Sequence, residues 1–139
     1  MSIPNNETHR LSALGLMSIG QNSNHFKTKI LIKKFDLLNI SFKKFKSIYI
    51  KIDTEGYEDN VLKGMFNFLN SNLNIYLKIE INKNFNNIKK ITSTIELLEK
   101  CNYNFFIVKD GKFMRLSKSE IIKFLIYRNS DIFCKKSLY

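Results

Sequence analysis

The sequence IYIKIDTEGYE at residues 48–58 decides the fold expected of this chain. Its first five residues are apolar except for one lysine, a composition typical of a short buried strand. The run stops at Asp53, and Gly56 then permits a tight turn or a close approach between backbones. Glu58 would open a helix, because the free N–H groups of a first helical turn stabilise a carboxylate. The stretch therefore predicts a strand, a loop and a helix in succession.

The rest of the chain continues this alternation of strand and helix. Residues 1–26 show no clear period and predict an irregular N-terminal segment, and residues 27–139 form the structured part. Because alternating strands and helices form parallel sheets with crossover helices, we expect an α/β fold. The predicted strands are 30–35, 48–52, 75–81, 105–108, 113–116 and 132–133, the predicted helices are 58–69, 86–100 and 117–128, and a turn or short helix covers 36–38.

Two local signals near the C-terminus predict an antiparallel element and a helix start. Asp110 and Gly111 lie between two apolar runs, the strongest short signal for a β-hairpin. Ser117 and Glu120 have the spacing of a capping box, in which each side chain binds the backbone N–H of the other residue. The sheet should therefore end in an antiparallel hairpin followed by a helix.

Composition excludes several classes of protein. With 139 residues and 44% hydrophobic residues, the chain can fold as one domain, and no apolar run approaches the length of a membrane-spanning helix. Lys and Arg outnumber Asp and Glu by 23 to 12, a net charge of +11, but only three of these residues are Arg. Since Arg provides most bidentate contacts to phosphates and bases, a lysine-rich solvated surface is favoured over a nucleic-acid interface. Cys101 and Cys134 lack neighbouring ligands, so we expect reduced, packed thiols in a cytoplasmic protein, and no metal site.

Carboxylates at the ends of predicted strands are the candidate functional residues. Ligands of open α/β sheets bind beyond the carboxyl ends of the strands. Asp53 and Glu55 follow the 48–52 strand, and Glu80 lies near the end of the next strand along the chain. Glu58 is interpreted as a helix-start residue instead. Because a carboxylate at the end of an apolar strand is costly without solvent, a ligand or a donor, Asp53 and Glu80 predict a polar site.

The same residues resemble the signature of the FkbM family of S-adenosylmethionine-dependent methyltransferases. Residues 51–58 match its pattern KIDxEGxE, and residues 61–64 match the downstream VLxG. Residues 34–38 are similar to the leucine-aspartate stretch that precedes the signature, with Phe35 where Leu is usual, and residues 79–81 resemble the family's next strand. The resemblance covers about residues 28–108.

The resemblance implies a Rossmann-like methyltransferase sheet, S-adenosylmethionine as cofactor, and O-methylation of a hydroxyl on a sugar or another small molecule. Asp53 would lie between cofactor and acceptor, with Gly56 on the cofactor side and with Glu55 and Glu80 lining the acceptor side. Asp53, Glu55 and Glu80 are thus the implied catalytic residues, and which of them acts as base stays open. An acidic lining favours a cationic donor electrostatically, and a positioned base assists a weakly nucleophilic hydroxyl.

The sequence departs from the family in one respect, because it contains no Gly-x-Gly arrangement typical of the cofactor loop. We therefore expect a partial sheet that lacks the N-terminal cofactor-loop strands and a truncated enzyme, and whether the chain is active alone stays open. The open edge of the 48–52 strand would then bind a separately encoded N-terminal half or a second copy of the chain. The alternative is a non-catalytic basic protein that binds nucleic acid or an anionic surface, favoured if Lys27, Lys29 and the lysines of residues 33–46 form one face.

Overall fold

One mixed five-stranded sheet organises residues 31–137, the part of the chain that this computed structural model describes. The strands lie side by side in the order β1-β2-β5-β3-β4. They are β1 (Ile48–Ile52), β2 (Ile75–Ile81), β3 (Tyr103–Lys109), β4 (Lys112–Leu116) and β5 (Ser130–Lys136).

The strand directions correct the expectation of a largely parallel sheet. β1 and β2 are parallel neighbours, with Ile50 opposite Leu77. β5 runs antiparallel to both β2 and β3, and β4 runs antiparallel to β3. β1, β2 and β3 therefore point the same way, but the last strand of the chain separates β2 from β3. A local pattern cannot reveal this insertion, because it depends on pairing between distant parts of the chain.

The helices cover one face of the sheet, where the core lies. They are α1 (Glu58–Gly64), α2 (Phe66–Asn70), α3 (Ile88–Lys100) and α4 (Lys118–Tyr127). Alternate residues of β2 face this core, because side chains of a strand repeat every 2 residues. One side of α3 and one side of α4 also face the core, because a helix repeats every 3.6 residues and so has one apolar face. The buried core side chains include Leu62, Ile75, Leu77, Ile79, Ile81, Ile91, Ile95, Leu98, Ile121, Leu125 and Ile132.

The opposite face of the sheet carries the intervening residues of each strand. Tyr49 and Lys51 of β1 are exposed, Glu80 of β2 is exposed, and Lys78 is half-buried. The burial pattern of β2 alternates along its whole length, so its even-numbered residues define this second face. The polar groups described below lie on it.

The predicted strand at 30–35 is wrong over the residues that the structure describes. Residues 31–34 form no strand, and a 3-10 helix follows at Phe35–Leu37, close to the predicted short helix at 36–38. The chain turns here because the Phe35 ring packs against the Phe68 ring. The two ring centroids are 4.8 Å apart. The predicted irregular segment at 1–26 lies outside the described residues.

The predicted helix at 58–69 is two helices. The break is at Met65, whose φ of −125° and ψ of 24° are not helical. Gly64 precedes the break and is a poor helix former. The second helix then takes a cap from a distant residue, since the Asp36 carboxylate accepts hydrogen bonds from the backbone N–H of Asn67 and Phe68, each at 2.9 Å.

The hairpin and the capping box predicted near the C-terminus are confirmed, whereas the strand predicted at 132–133 extends over Ser130–Lys136. Asp110 and Gly111 join β3 to β4 with positive φ angles of 50° and 73°, as a two-residue hairpin requires. The capping box of Ser117 and Glu120 is complete, and the pKa of Glu120 is lowered by its hydrogen bonds from Ser117. α3 begins at Ile88, with Asn87 as its cap, two residues later than predicted.

The two cysteines are free and buried, as expected of packed thiols, and burial raises the pKa of each. Within residues 31–137, none of the helices has the length and apolar character needed to cross a bilayer.

Candidate functional site at the carboxyl edge of the sheet

Glu58 holds the loop that follows β1. Its side chain is 1% exposed, and its Oε1 accepts hydrogen bonds from the backbone N–H and the hydroxyl of Thr54, both at 3.1 Å. The backbone N–H of Gly56 is 3.1 Å from each carboxylate oxygen. Charge-assisted hydrogen bonds of this kind are stronger than neutral ones. Glu58 is therefore the first residue of α1, as predicted, and also the group that fixes the conformation of residues 53–57.

Gly56 allows this loop to approach the loop after β2. Its φ is 99°, and a Cβ at this position would lie 2.7 Å from the carbonyl oxygen of Phe85. The carbonyl of Gly56 accepts a hydrogen bond of 2.7 Å from Lys90 Nζ, which also lies 5.7 Å from the ring centroid of Tyr57. Both backbone polar groups of Gly56 are thus engaged inside the protein. The expected close approach is present.

Asp53 and Glu80 lie side by side at the carboxyl ends of β1 and β2. The register pairs Ile52 with Ile79, so each acidic residue is one position beyond this pair. Lys51 connects them, with its Nζ 2.7 Å from Asp53 Oδ2 and 3.9 Å from Glu80 Oε2. The hydrogen bond from Lys51 lowers the pKa of Asp53, and the same contact raises the pKa of Lys51.

A third carboxylate at this edge, Asp131 of β5, was not predicted. It lies opposite Glu80 in the register, and its Oδ2 is 2.8 Å from Lys78 Nζ. Two carboxylates directly opposite each other, such as Glu80 and Asp131, destabilise a strand pair. The contacts of Lys51 with Glu80 and of Lys78 with Asp131 offset this repulsion. The only local signal was an acidic residue next to Ile132, in a strand predicted too short to include it.

Glu55 does not join this cluster. Its side chain is exposed, its φ is 48°, and it makes no ion pair with any residue of the 31–137 region. A non-glycine residue in the left-handed region is uncommon and is worth attention next to a site. The structure thus brings together Asp53 and Glu80 and leaves Glu55 outside their ion-pair network.

The acidic edge can accept hydrogen bonds from hydroxyl groups. Asp53, Glu80 and Asp131 supply carboxylate oxygens on one face of the sheet, beside the loop that Gly56 and Glu58 shape. Within residues 31–137, no cluster of three or more His, Cys, Asp or Glu has an arrangement that could hold a metal ion.

Comparison with known proteins identifies the family. The model of the methyltransferase FkbM domain matches residues 7–105, which is more than half of the chain. The chain belongs to the FkbM methyltransferase family. No curated protein and no solved structure matches it.

The family match agrees with the signature at residues 51–58 and extends further towards the N-terminus than those motifs. It includes Asp53, Glu55, Gly56 and Glu80, whereas Asp131 lies beyond it. The comparison supports a methyltransferase and gives no support to the alternative of a non-catalytic basic protein that binds nucleic acid or an anionic surface. Of the lysines that would have favoured that alternative, Lys27 and Lys29 lie outside the described residues.

Proposed function

We propose that this FkbM family member is an S-adenosylmethionine-dependent methyltransferase that methylates a hydroxyl of a sugar or another small molecule. The observation that carries the proposal is the position of Asp53 and Glu80, adjacent at the carboxyl edge of two parallel strands. Ligands of open α/β sheets bind at that edge. The family match supports the reaction class.

The described strands fit the C-terminal part of a Rossmann-like methyltransferase sheet. β1, β2 and β3 share one direction, and helices α1 and α3 follow β1 and β2 in the chain. β1 is an edge strand among the described residues. We propose that its free edge pairs with a further strand, provided by a separately encoded N-terminal half or by a second copy of the chain.

The residues present fit the positively charged end of the cofactor. When bound, S-adenosylmethionine supplies an electrophilic methyl group on a sulfonium sulfur. A carboxylate that stays ionised complements such a charge, and Lys51 holds the pKa of Asp53 below its usual range. Gly56 contributes by shaping the loop beside the cofactor, because its own N–H and C=O are already bonded.

Glu80 is the residue we assign as base. Lys51 Nζ lies 2.7 Å from Asp53 Oδ2 but 3.9 Å from Glu80 Oε2, so the Glu80 carboxylate is less engaged by the lysine and is the one we assign to take a proton. Bound S-adenosylmethionine would supply the methyl group to the acceptor oxygen, and a Glu80 oxygen would take the hydroxyl proton. Glu55, exposed in the loop that follows β1, would line the acceptor side together with Glu80.

Transfer of a labelled methyl group from S-adenosylmethionine to a panel of sugars and small alcohols tests this proposal. We expect incorporation that Glu80→Gln lowers by roughly 100-fold, the usual effect of losing a general base. The matched control is Glu96→Gln, an exposed residue on α3 that pairs with Lys118. Equal rates for Glu80→Gln and the unchanged chain would contradict the assignment.

A further inference from the structure

The segment from Lys34 to Lys46 combines exposed apolar side chains with lysines. Leu37 is 68% exposed, Ile40 52% and Phe45 51%, and Leu38 is exposed as well. Its four lysines, Lys34, Lys43, Lys44 and Lys46, are all exposed. Leu37, Leu38 and Ile40 fall within four consecutive positions, and exposed apolar side chains grouped in this way mark interaction sites.

The segment is a fixed surface of the fold. Turns hold its backbone, with hydrogen bonds from Leu38 N to Phe35 O and from Phe45 N to Phe42 O, at 2.9 and 3.0 Å. The rings of Phe35 and Phe42 lie 4.8 and 4.9 Å from that of Phe68. These inward-facing aromatic side chains anchor the segment, while the leucines, Ile40 and the lysines stay outside.

Apart from Asp36, the charged residues of this segment are all lysines. Asp36 is the segment's only acidic residue, and both its oxygens are bonded to backbone N–H groups of α2. No Asp or Glu occurs at residues 37–52 or 60–79, which include the neighbouring α2. The segment directly precedes β1, so it lies at the opposite end of that strand from Asp53.

We propose that the 34–46 segment docks this protein on an anionic lipid bilayer. Apolar side chains enter the boundary between headgroups and acyl chains, and lysines remain at the level of the headgroup phosphates. This combination favours a bilayer over a nucleic acid, which would contact the lysines and leave Leu37 and Ile40 in water. The proposal is independent of the methyl-transfer proposal, because it uses residues at the other end of β1.

Sedimentation with lipid vesicles tests the docking surface. The chain should bind vesicles of phosphatidylcholine and phosphatidylserine in a roughly three-to-one ratio and should not bind phosphatidylcholine alone. Leu37→Ser with Ile40→Ser should lower the binding about tenfold, and so should Lys43→Gln with Lys44→Gln.

Two control pairs match these changes at a distant site. Lys109→Gln with Lys112→Gln removes the same charge from the β3–β4 hairpin, and Val108→Ser with Phe113→Ser removes exposed apolar groups there. We expect less than about a twofold change from either, because screening confines charge effects to roughly 10 Å. Circular dichroism should report unchanged folding for the segment variants, whose side chains are exposed.

Three results would overturn the proposal. One is the absence of binding to the mixed vesicles. Another is an equal loss of vesicle binding in Lys43→Gln with Lys44→Gln and in the hairpin control Lys109→Gln with Lys112→Gln. That result would mean that only the net charge of the protein matters. The third is binding that Leu37→Ser with Ile40→Ser does not change and that duplex DNA competes away, which would identify a general polyanion surface.

Discussion

Both carboxylate oxygens of Glu58 lie 3.1 Å from the backbone nitrogen of Gly56, two residues earlier in the chain. Glu58→Ala would leave this buried N–H and the half-buried N–H of Thr54 without their partner. We expect a loss of about 3 kcal/mol in the free energy of unfolding, measured by urea denaturation. Glu55→Gln, in the same loop but exposed, should change it by less than about 0.5 kcal/mol. Equal effects of the two substitutions would refute the loop-holding role of Glu58.

Gly56 and Gly111 are glycines for different structural reasons. Both have positive φ, but a Cβ at Gly56 would lie 2.7 Å from the Phe85 carbonyl oxygen, whereas a Cβ at Gly111 meets nothing within 4 Å. Gly111→Ala should cost only the backbone strain, about 1 kcal/mol. Gly56→Ala adds a clash with backbone and should cost about 3 kcal/mol in the same denaturation measurement. If Gly56→Ala lowered the free energy of unfolding no more than Gly111→Ala, the loops that contain Gly56 and Phe85 would not be in contact.

Asp36 binds the backbone of α2, more than 30 positions later in the chain. Its carboxylate caps α2, so Asp36→Ala should lower the free energy of unfolding by about 1 to 2 kcal/mol, and Asp36→Asn should lower it less because one oxygen remains. Thermal unfolding followed by circular dichroism measures both. If Asp36→Ala were neutral, the cap would contribute nothing to stability.

The Lys51–Asp53 pair should be visible in a pH titration. Because Lys51 lowers the pKa of Asp53 in the folded state, the pair contributes stability above the unfolded pKa of about 4, and this contribution disappears as pH falls through the folded pKa. Lys51→Met should return the Asp53 pKa towards its usual value, as measured by carbon NMR of the side-chain carboxyl group. Lys118→Met, which breaks a similar exposed pair with Glu99, is the control and should leave Asp53 unchanged. An Asp53 titration that is the same with and without Lys51 would contradict the pairing.

Local sequence predicts those elements whose cause is local. β1 and β2 have the predicted bounds, since each is an apolar run with alternating burial that ends at a charged or polar residue. The hairpin at Asp110 and the capping box at Ser117 likewise depend on neighbouring residues. The adjacency of Asp53 and Glu80 was predicted because parallel strands bring their carboxyl ends to one edge.

The remaining features depend on contacts between distant residues. The predicted strand at 30–35 gives way to a turn because Phe35 and Asp36 bind α2, far along the chain. Asp131 reaches the acidic edge only because β5 inserts between β2 and β3. The close approach of Gly56 was predicted as a possibility, but its partner Phe85 follows from the fold.

The most direct test of the acidic edge as the methyl-transfer site is a nitrogen-15 NMR titration of the chain with S-adenosylmethionine and, separately, with S-adenosylhomocysteine. We expect amide shifts in residues 53–57 and 80–83 that are larger for S-adenosylmethionine, because only its sulfonium carries the positive charge that Asp53 complements. Asp53→Asn should remove that difference between the two ligands. Shifts absent from both loops at millimolar ligand, or equal for the two ligands, would contradict the assignment.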